Sequence, residues 1–232
     1  MGCQQCYYFY VKPLVIFDID RTIYNGSLGQ DFILHLVSKN IISPTVLSEL
    51  TLFFIEYETE LISYDKTVAT ILNFLAKELS EHEFEKIRKE TEIFIKIQHH
   101  KFYDYAYEIP KIYNQFEYVL LSLEPDFVAS EVGKVLDVKN TIGNEFTHNH
   151  NFRKNIQVTT NKVELFEKSE FKNREIFAAF GDSESDFKIL SKAQNSFVIN
   201  PTNHLLQLIK NNKSFQEVTP KTAYESFKKL VS

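Results

Sequence analysis

Groups able to do acid, base or nucleophilic chemistry stand at four points of the chain, three of them where an apolar run stops. Asp18 and Asp20, with Thr22 behind them, follow Leu14-Val15-Ile16-Phe17. Ser122 follows Tyr118-Val119-Leu120-Leu121, Lys162 stands near a helix start, and Gly181-Asp182-Ser183-Glu184-Ser185-Asp186 follows Ile176 to Phe180. Carboxylates drawn into one crevice would repel by about 4 kcal/mol per pair at 4 Å and an effective dielectric of 20, so they call for a cation. Oxygen donors without His or Cys select a hard ion, and a few carboxylates with water suit Mg2+ better than a full calcium cage. Such an ion beside an ammonium and a hydroxyl makes a hole for a dianionic phosphate and screens it, so that a carboxylate can approach phosphorus. Two aspartates one residue apart can then divide a two-step reaction. Asp18 is expected to attack and carry an aspartyl phosphate, while Asp20 protonates the leaving alkoxide and later deprotonates water.

For these groups to meet, the apolar runs must be neighbouring strands of one sheet. Leu14 to Phe17 reads as a buried strand, and strand-like runs return at Tyr118 to Leu121, Asn155 to Val158, Ile176 to Phe180 and Phe197 to Ile199. Helical stretches near Pro125 to Leu136, Asn161 to Lys168 and Glu184 to Lys192 separate them. This alternation predicts an α/β fold with a doubly wound, mainly parallel sheet, whose ligands lie outside the carboxyl ends of the strands. Between the first two strands lies a helical block with start signals at Ser43-Pro44, at Ser63, and at Ser80 with Glu83 as a capping box. Leu47, Leu50, Phe54 and Tyr57 form one apolar stripe, and Val68, Ile71, Leu72 and Leu75 another. We expect a core of residues 11–26 and 100–232, with residues 27–99 a helical cap inserted after the first strand. The closing segment from Lys221 reads as a docked amphipathic helix or a tail.

The ordered set Phe17-Asp18-Ile19-Asp20-Arg21-Thr22, Ser122, Lys162 and Gly181-Asp182-Ser183-Glu184-Ser185-Asp186 resembles the motifs of the haloacid dehalogenase superfamily of phosphatases. The insert is similar to the cap of its phosphoserine phosphatase-like branch, and the likeness runs from about Leu14 to Leu208, including the Asn200-Pro201 turn. The resemblance implies a Rossmann-like core. It makes Asp18 the nucleophile and a Mg2+ ligand, and Asp20 the acid/base that also offers its backbone carbonyl to the ion. Ser122 and Lys162 would grip the phosphoryl group, Asp182 would ligate the metal, and Asp186 would support the metal's surroundings. Lys168 is the alternative to Lys162. Two positions depart from the phosphoserine-specific pattern: Ser27 stands where those members carry Glu, and Leu123-Glu124 where they carry Gly-Gly. The expected substrate is a small phosphorylated metabolite, and these departures count against phosphoserine.

Composition narrows the remaining options. With 232 residues, 44% hydrophobic and 25% charged, the chain should bury roughly 70% of its unfolded surface without a staple. A net charge of -5 disfavours nucleic acid, whose binding needs a clustered basic surface. No run approaches the ~20 apolar residues of a membrane helix, and Tyr7 to Val11 is too short for a signal segment. The only cysteines, Cys3 and Cys6, make no framework, which points to a cytoplasmic, reducing setting. They are read as part of a loose leader rather than half of a zinc site, and Met1-Gly2-Cys3 lacks the Ser or Thr of an acylation signal. His99-His100 and His148-Asn149-His150 are read as polar turns, and Arg88 as a solvated helix residue. Two rivals to a Mg2+-dependent phosphomonoesterase keep the same residues: a phosphotransferase passing the group to another acceptor, and a catalytically quiet module that binds a phospho-ligand.

Overall fold

The computed structural model describes residues 11–59, 61–148, 151–153, 156–212 and 214–231. The Cys3 and Cys6 pair and the Met1-Gly2-Cys3 opening lie outside the described residues, as do Asn149 and His150. Strand β1 (Leu14–Phe17) is buried throughout, as expected of a strand covered on both faces. Four helices follow: α1 (Leu28–Ser38), α2 (Thr45–Glu58), α3 (Tyr64–Ser80) and α4 (Phe84–Gln98). A 3-10 turn (His99–Lys101) and α5 (Asp104–Ile112) lead to β2 (Glu117–Pro125), α6 (Asp126–Leu136) and β3 (Asn140–Asn144). A small hairpin of β4 (Thr147–His148) and β5 (Asn151–Phe152) precedes α7 (Lys162–Lys168), β6 (Ile176–Gly181), α8 (Phe187–Lys192) and β7 (Asn195–Ile199). The chain ends with α9 (Asn203–Ile209), β8 (Phe215–Val218) and α10 (Ala223–Val231).

Six of these strands form one sheet in the order β3-β2-β1-β6-β7-β8, every pairing parallel. The direction of winding reverses between β1 and β6, so the crevice for a ligand opens beyond their carboxyl ends. A ladder of rings sets where those ends fall. Phe17 pairs in register with Phe180, and Phe180 with Phe197, with ring centroids 4.7 and 4.6 Å apart. Phe227 of α10 closes over Phe180 and Phe197. The backbone of Asp18 continues this ladder, its N–H donating to the carbonyl of Phe180 at 3.0 Å.

The helical excursion leaves and rejoins the sheet through a clasp. Asn25 N–H donates to Lys101 O at 2.9 Å, Tyr103 N–H to Ile23 O at 3.0 Å, and Tyr24 bridges Phe102 in antiparallel fashion.

Several local expectations are corrected. Ile156 to Val158 is not a strand; instead Asn144 uses its side-chain amide as a substitute ladder rung, accepting from Thr159 N at 2.8 Å and donating to Thr159 O at 3.1 Å. Ser80 ends α3 rather than capping a new helix, because its hydroxyl donates back to Lys77 O at 2.7 Å; α4 starts after Glu83. The run after Tyr118 does not stop at Leu121 but continues to Pro125 across a shift in register, which places Ser122, Leu123 and Glu124 inside an irregular stretch of β2. The segment from Lys221 holds a helix, α10, with Ala223 and Phe227 buried.

Candidate active site

Asp18 follows directly from β1 and is buried. One of its carboxylate oxygens accepts from Lys162 Nζ, and the other from Thr22 Oγ1 at 2.8 Å. The turn that returns Thr22 is held in turn by the buried Tyr105, whose hydroxyl donates to Thr22 O at 2.6 Å. The nucleophile candidate is therefore fixed at both oxygens.

Lys162 is the first residue of α7, and Asn161 caps that helix by accepting from Val163 N at 3.0 Å. Its ammonium is 4% exposed and donates to Asp186 Oδ1 at 2.6 Å as well as to Asp18. The two carboxylates push Lys162 up, against burial. Lys168 points elsewhere, 63% exposed and paired with Glu164, so Lys162 is the lysine that reaches the crevice.

Asp182 and Asp186 arrive on the turn after β6. Asp186 Oδ2 folds back on its own loop, accepting from Asp182 N at 3.2 Å, Ser183 N at 3.1 Å and Ser183 Oγ at 3.1 Å. Gly181 makes the return possible: a Cβ there would lie 2.6 Å from both Cβ and Cγ of Asp186. Gly181→Ala is thus expected to displace Asp186 and lower stability by about 1–3 kcal/mol, the usual range for overpacking, which calorimetry would read as a drop in Tm.

Carboxylate oxygens of Asp18, Asp182 and Asp186 all fall within 4.8 Å of one another. Burial, followed by the repulsion of Asp186, raises the Asp18 pKa from 3.8 to about 7. Asp182 is pushed well up, chiefly by burial and then by Asp18 and Asp186. Arg21, in a left-handed turn at φ 55°, answers part of that charge, with Nε 3.3 Å from Asp182 Oδ2 and a second nitrogen donating to Asn200 O at 3.1 Å.

The Asp20 carboxylate lies outside this trio. It accepts from Leu28 N at 2.5 Å and shares a hydrogen bond with the carboxyl of Glu124. Burial raises Asp20, and burial together with Asp20 raises Glu124 well above the usual carboxylate range. The Asp20 carbonyl accepts from Thr22 N at 2.6 Å, which leaves it a second lone pair. Ser122 is buried at the same sheet edge, with its Oγ accepting from Glu124 N at 3.2 Å.

Glu124 was the residue most easily overlooked. In the sequence it is a departure after Ser122, whereas in the fold it supports Asp20 and approaches α1 so closely that a Cβ on Gly29 would lie 2.6 Å from Glu124 Oε1. Its signal was an acidic residue two positions past the serine at an apolar strand's end. Ser27 begins α1, its Oγ accepting from Gln30 N at 3.4 Å. His99 and His100 bond to the carbonyls of Lys96 and Ile97 in the last turn of α4 at 3.1 and 3.0 Å, and Arg88 pairs with Glu85 at 2.9 Å.

Between α1, α3 and this edge lies a cavity of about 250 Å3 that opens on Asp20, Arg21 and Asp182. No helix of the described residues is long and apolar enough to cross a membrane.

Known structures share this architecture. A protein of unknown function from Bordetella pertussis Tohama I superposes with a TM-score of 0.71 at 12% identity, over 90% of this chain and 100% of that one. A substrate-bound phosphoserine phosphatase complex does so at 0.57 and 15%, over 96% and 99%. A phosphoserine phosphohydrolase-like protein from Francisella tularensis subsp. tularensis SCHU S4 gives 0.56 and 15%, over 88% and 94%. No curated protein matches the chain in sequence. Residues 15–191 match the haloacid dehalogenase-like hydrolase pattern, a span that holds Asp18, Asp20, Ser122, Lys162, Asp182 and Asp186, and the chain belongs to that family.

Proposed function

We propose that the chain is a Mg2+-dependent phosphatase that hydrolyses a small phosphomonoester through an aspartyl phosphate on Asp18. The observation that carries this reading is the meeting of a doubly anchored carboxylate, a buried ammonium and two further carboxylates at the switch point of the sheet, beside the Asp20 and Glu124 carboxyl pair. A phosphoserine phosphatase with substrate bound among the structural relatives supports it.

The buried trio fits a divalent ion: its donors are all oxygen, and Lys162 and Arg21 are the cations that contact it among the described residues. Asp18 and Asp182 would hold the ion, with the Asp20 carbonyl as a third donor and Asp186 orienting the loop that carries Asp182. When bound, it supplies charge neutralisation for the trio and for the phosphoryl oxygens. The chain's own residues do the rest. Lys162 and Ser122 hold the phosphoryl group, and Thr22 keeps the Asp18 oxygen aimed while that oxygen forms the new bond to phosphorus. The ester oxygen departs with its electron pair and takes the proton of Asp20, whose raised pKa suits it to donate. Asp20 then accepts a proton from the water that attacks phosphorus and frees Asp18.

Rapid quenching after mixing with a 32P-labelled ester and Mg2+ should trap label on the chain, released by hydroxylamine and absent when EDTA is present. Turnover without any labelled chain would overturn the mechanism.

A pH dependence follows from Asp18. Its pKa is raised on folding, so between pH 4 and about 7 the folded chain keeps a proton that the unfolded chain releases. Stability from this group is full below the unfolded value and lost as pH rises through 7. In EDTA, Tm should fall from pH 5 to pH 8, and Mg2+ should raise it more at pH 8 than at pH 5. A Mg2+ shift of equal size at both values would contradict the assignment.

A further inference from the structure

We propose that the cavity beside Asp20 selects esters whose alcohol part is apolar and carries no anion. The proposal rests on the phosphatase reading, which fixes the direction of the substrate. Asp20 protonates the leaving oxygen, so the alcohol must lie on the Asp20 side of the phosphorus, and the space there is this cavity.

Its walls are mainly apolar: Ile33 of α1, Val68, Ile71, Leu72 and Leu75 of α3, and Leu123 of β2. Polar side chains are the minority of the lining: Thr67 Oγ1 donates to Ser63 O, Ser183 Oγ to Asp186 and Thr202 Oγ1 to Glu184, each at 3.1 Å, while Ser27, Gln30 and Tyr64 add neutral polar groups and no charge. The Glu124 carboxyl is occupied by Asp20. Arg21 is the one cation among the described lining residues, and it is engaged by Asp182 and the Asn200 carbonyl on the sheet side. The helices α1 to α4 contribute no lysine or arginine to the lining. A carboxylate or second phosphate on the alcohol would therefore be desolvated against mainly aliphatic side chains and next to buried acids, with no cation opposite it on the helical side. At about 250 Å3 the space is below the usual range for drug-sized ligands, which favours a compact alcohol.

The test is a series of ethyl, butyl and hexyl phosphate set against phosphoserine and phosphoglycolate, all with Mg2+, read both as kcat/KM and as equilibrium binding to the Asp18→Asn chain. Each methylene that enters the cavity should raise kcat/KM and affinity about fourfold until the space is filled, the equivalent of burying one CH2. Butyl phosphate should exceed phosphoglycolate at least about 30-fold, the scale of an unpaired buried charge. A flat alkyl series, or anionic esters that match butyl phosphate, overturns the proposal. If no ester is hydrolysed but affinity still climbs along the alkyl series, the cavity assignment stands and the phosphatase reading falls. Ile71→Lys, which places an ammonium in the wall, should narrow the gap between butyl phosphate and phosphoglycolate at least about tenfold. Should that chain not fold, Ile71→Ala serves in its place and should flatten the alkyl slope; an unchanged slope counts against the assignment.

Discussion

Asp18→Asn is expected to cut phosphate release at least about 10^3-fold while leaving Tm equal or higher. The amide has the carboxylate's shape but cannot form the acyl phosphate. Its oxygen can still accept from Lys162, and its NH2 can donate to the Thr22 hydroxyl, so both anchors of the native side chain are remade. Asp186 remains as counter-ion to Lys162, and one of three mutually repelling buried acids is gone. Steady-state kinetics and a melting curve on the same preparation check both halves. Substantial residual turnover would remove Asp18 from the nucleophile's role, and a collapse in Tm would show that its charge is needed for folding.

Lys162→Ala is expected to be costly to stability as well as to activity. The ammonium is buried and serves both Asp18 and Asp186, so its removal leaves two carboxylates without a cation. Breaking a buried pair from one side costs about 3–5 kcal/mol, which in a chain of this size lowers Tm by roughly 6–20 °C. Asp18, which burial already pushes up to about 7, can escape by taking a proton, so the deficit against the native chain should shrink as pH falls from 8 to 5. Melting curves at the two pH values decide the matter. A loss under about 1 kcal/mol at pH 8 would mean that the acids have other compensation.

The parts of this site that were legible in the sequence are those where burial changes abruptly. Leu14 to Phe17 and Ile176 to Phe180 are apolar because both faces of the sheet are covered, and Asp18 and Asp182 follow because the strand there meets the ligand edge. What was not legible lies at the margins of the sheet. β3 reads Asn-Thr-Ile-Gly-Asn and β8 reads Phe-Gln-Glu-Val; both are edge strands that are only partly buried and carry no apolar run. Of the strand expected at Asn155 to Val158, the described residues Ile156 to Val158 form none: β3 holds that edge of the sheet, and Asn144 pins the following Thr159 from its side chain. Helix α5 carries Pro110 inside it, two residues before its end at Ile112, and its nine residues follow a His-rich turn with no side-chain cap to announce them. Glu124 could not be placed without the irregularity in β2, which re-aims residues past Leu121 in a way that strict alternation cannot predict.

The clasp at Ile23 to Asn25 and Lys101 to Tyr103 means that everything threaded through it is a closed detour. Its two ends are already tied side by side, so a short turn in place of the detour would lose none of the six-stranded sheet's pairings. The cost would fall on the surface of α6, where Phe127 would lose the rings of Phe32 and Phe84 and face water. A scaffold joined in this way can exchange one helical insert for another of different length while the strand ends that carry Asp18 and Asp182 stay in place, so the surroundings of those acids can diverge without rebuilding the sheet.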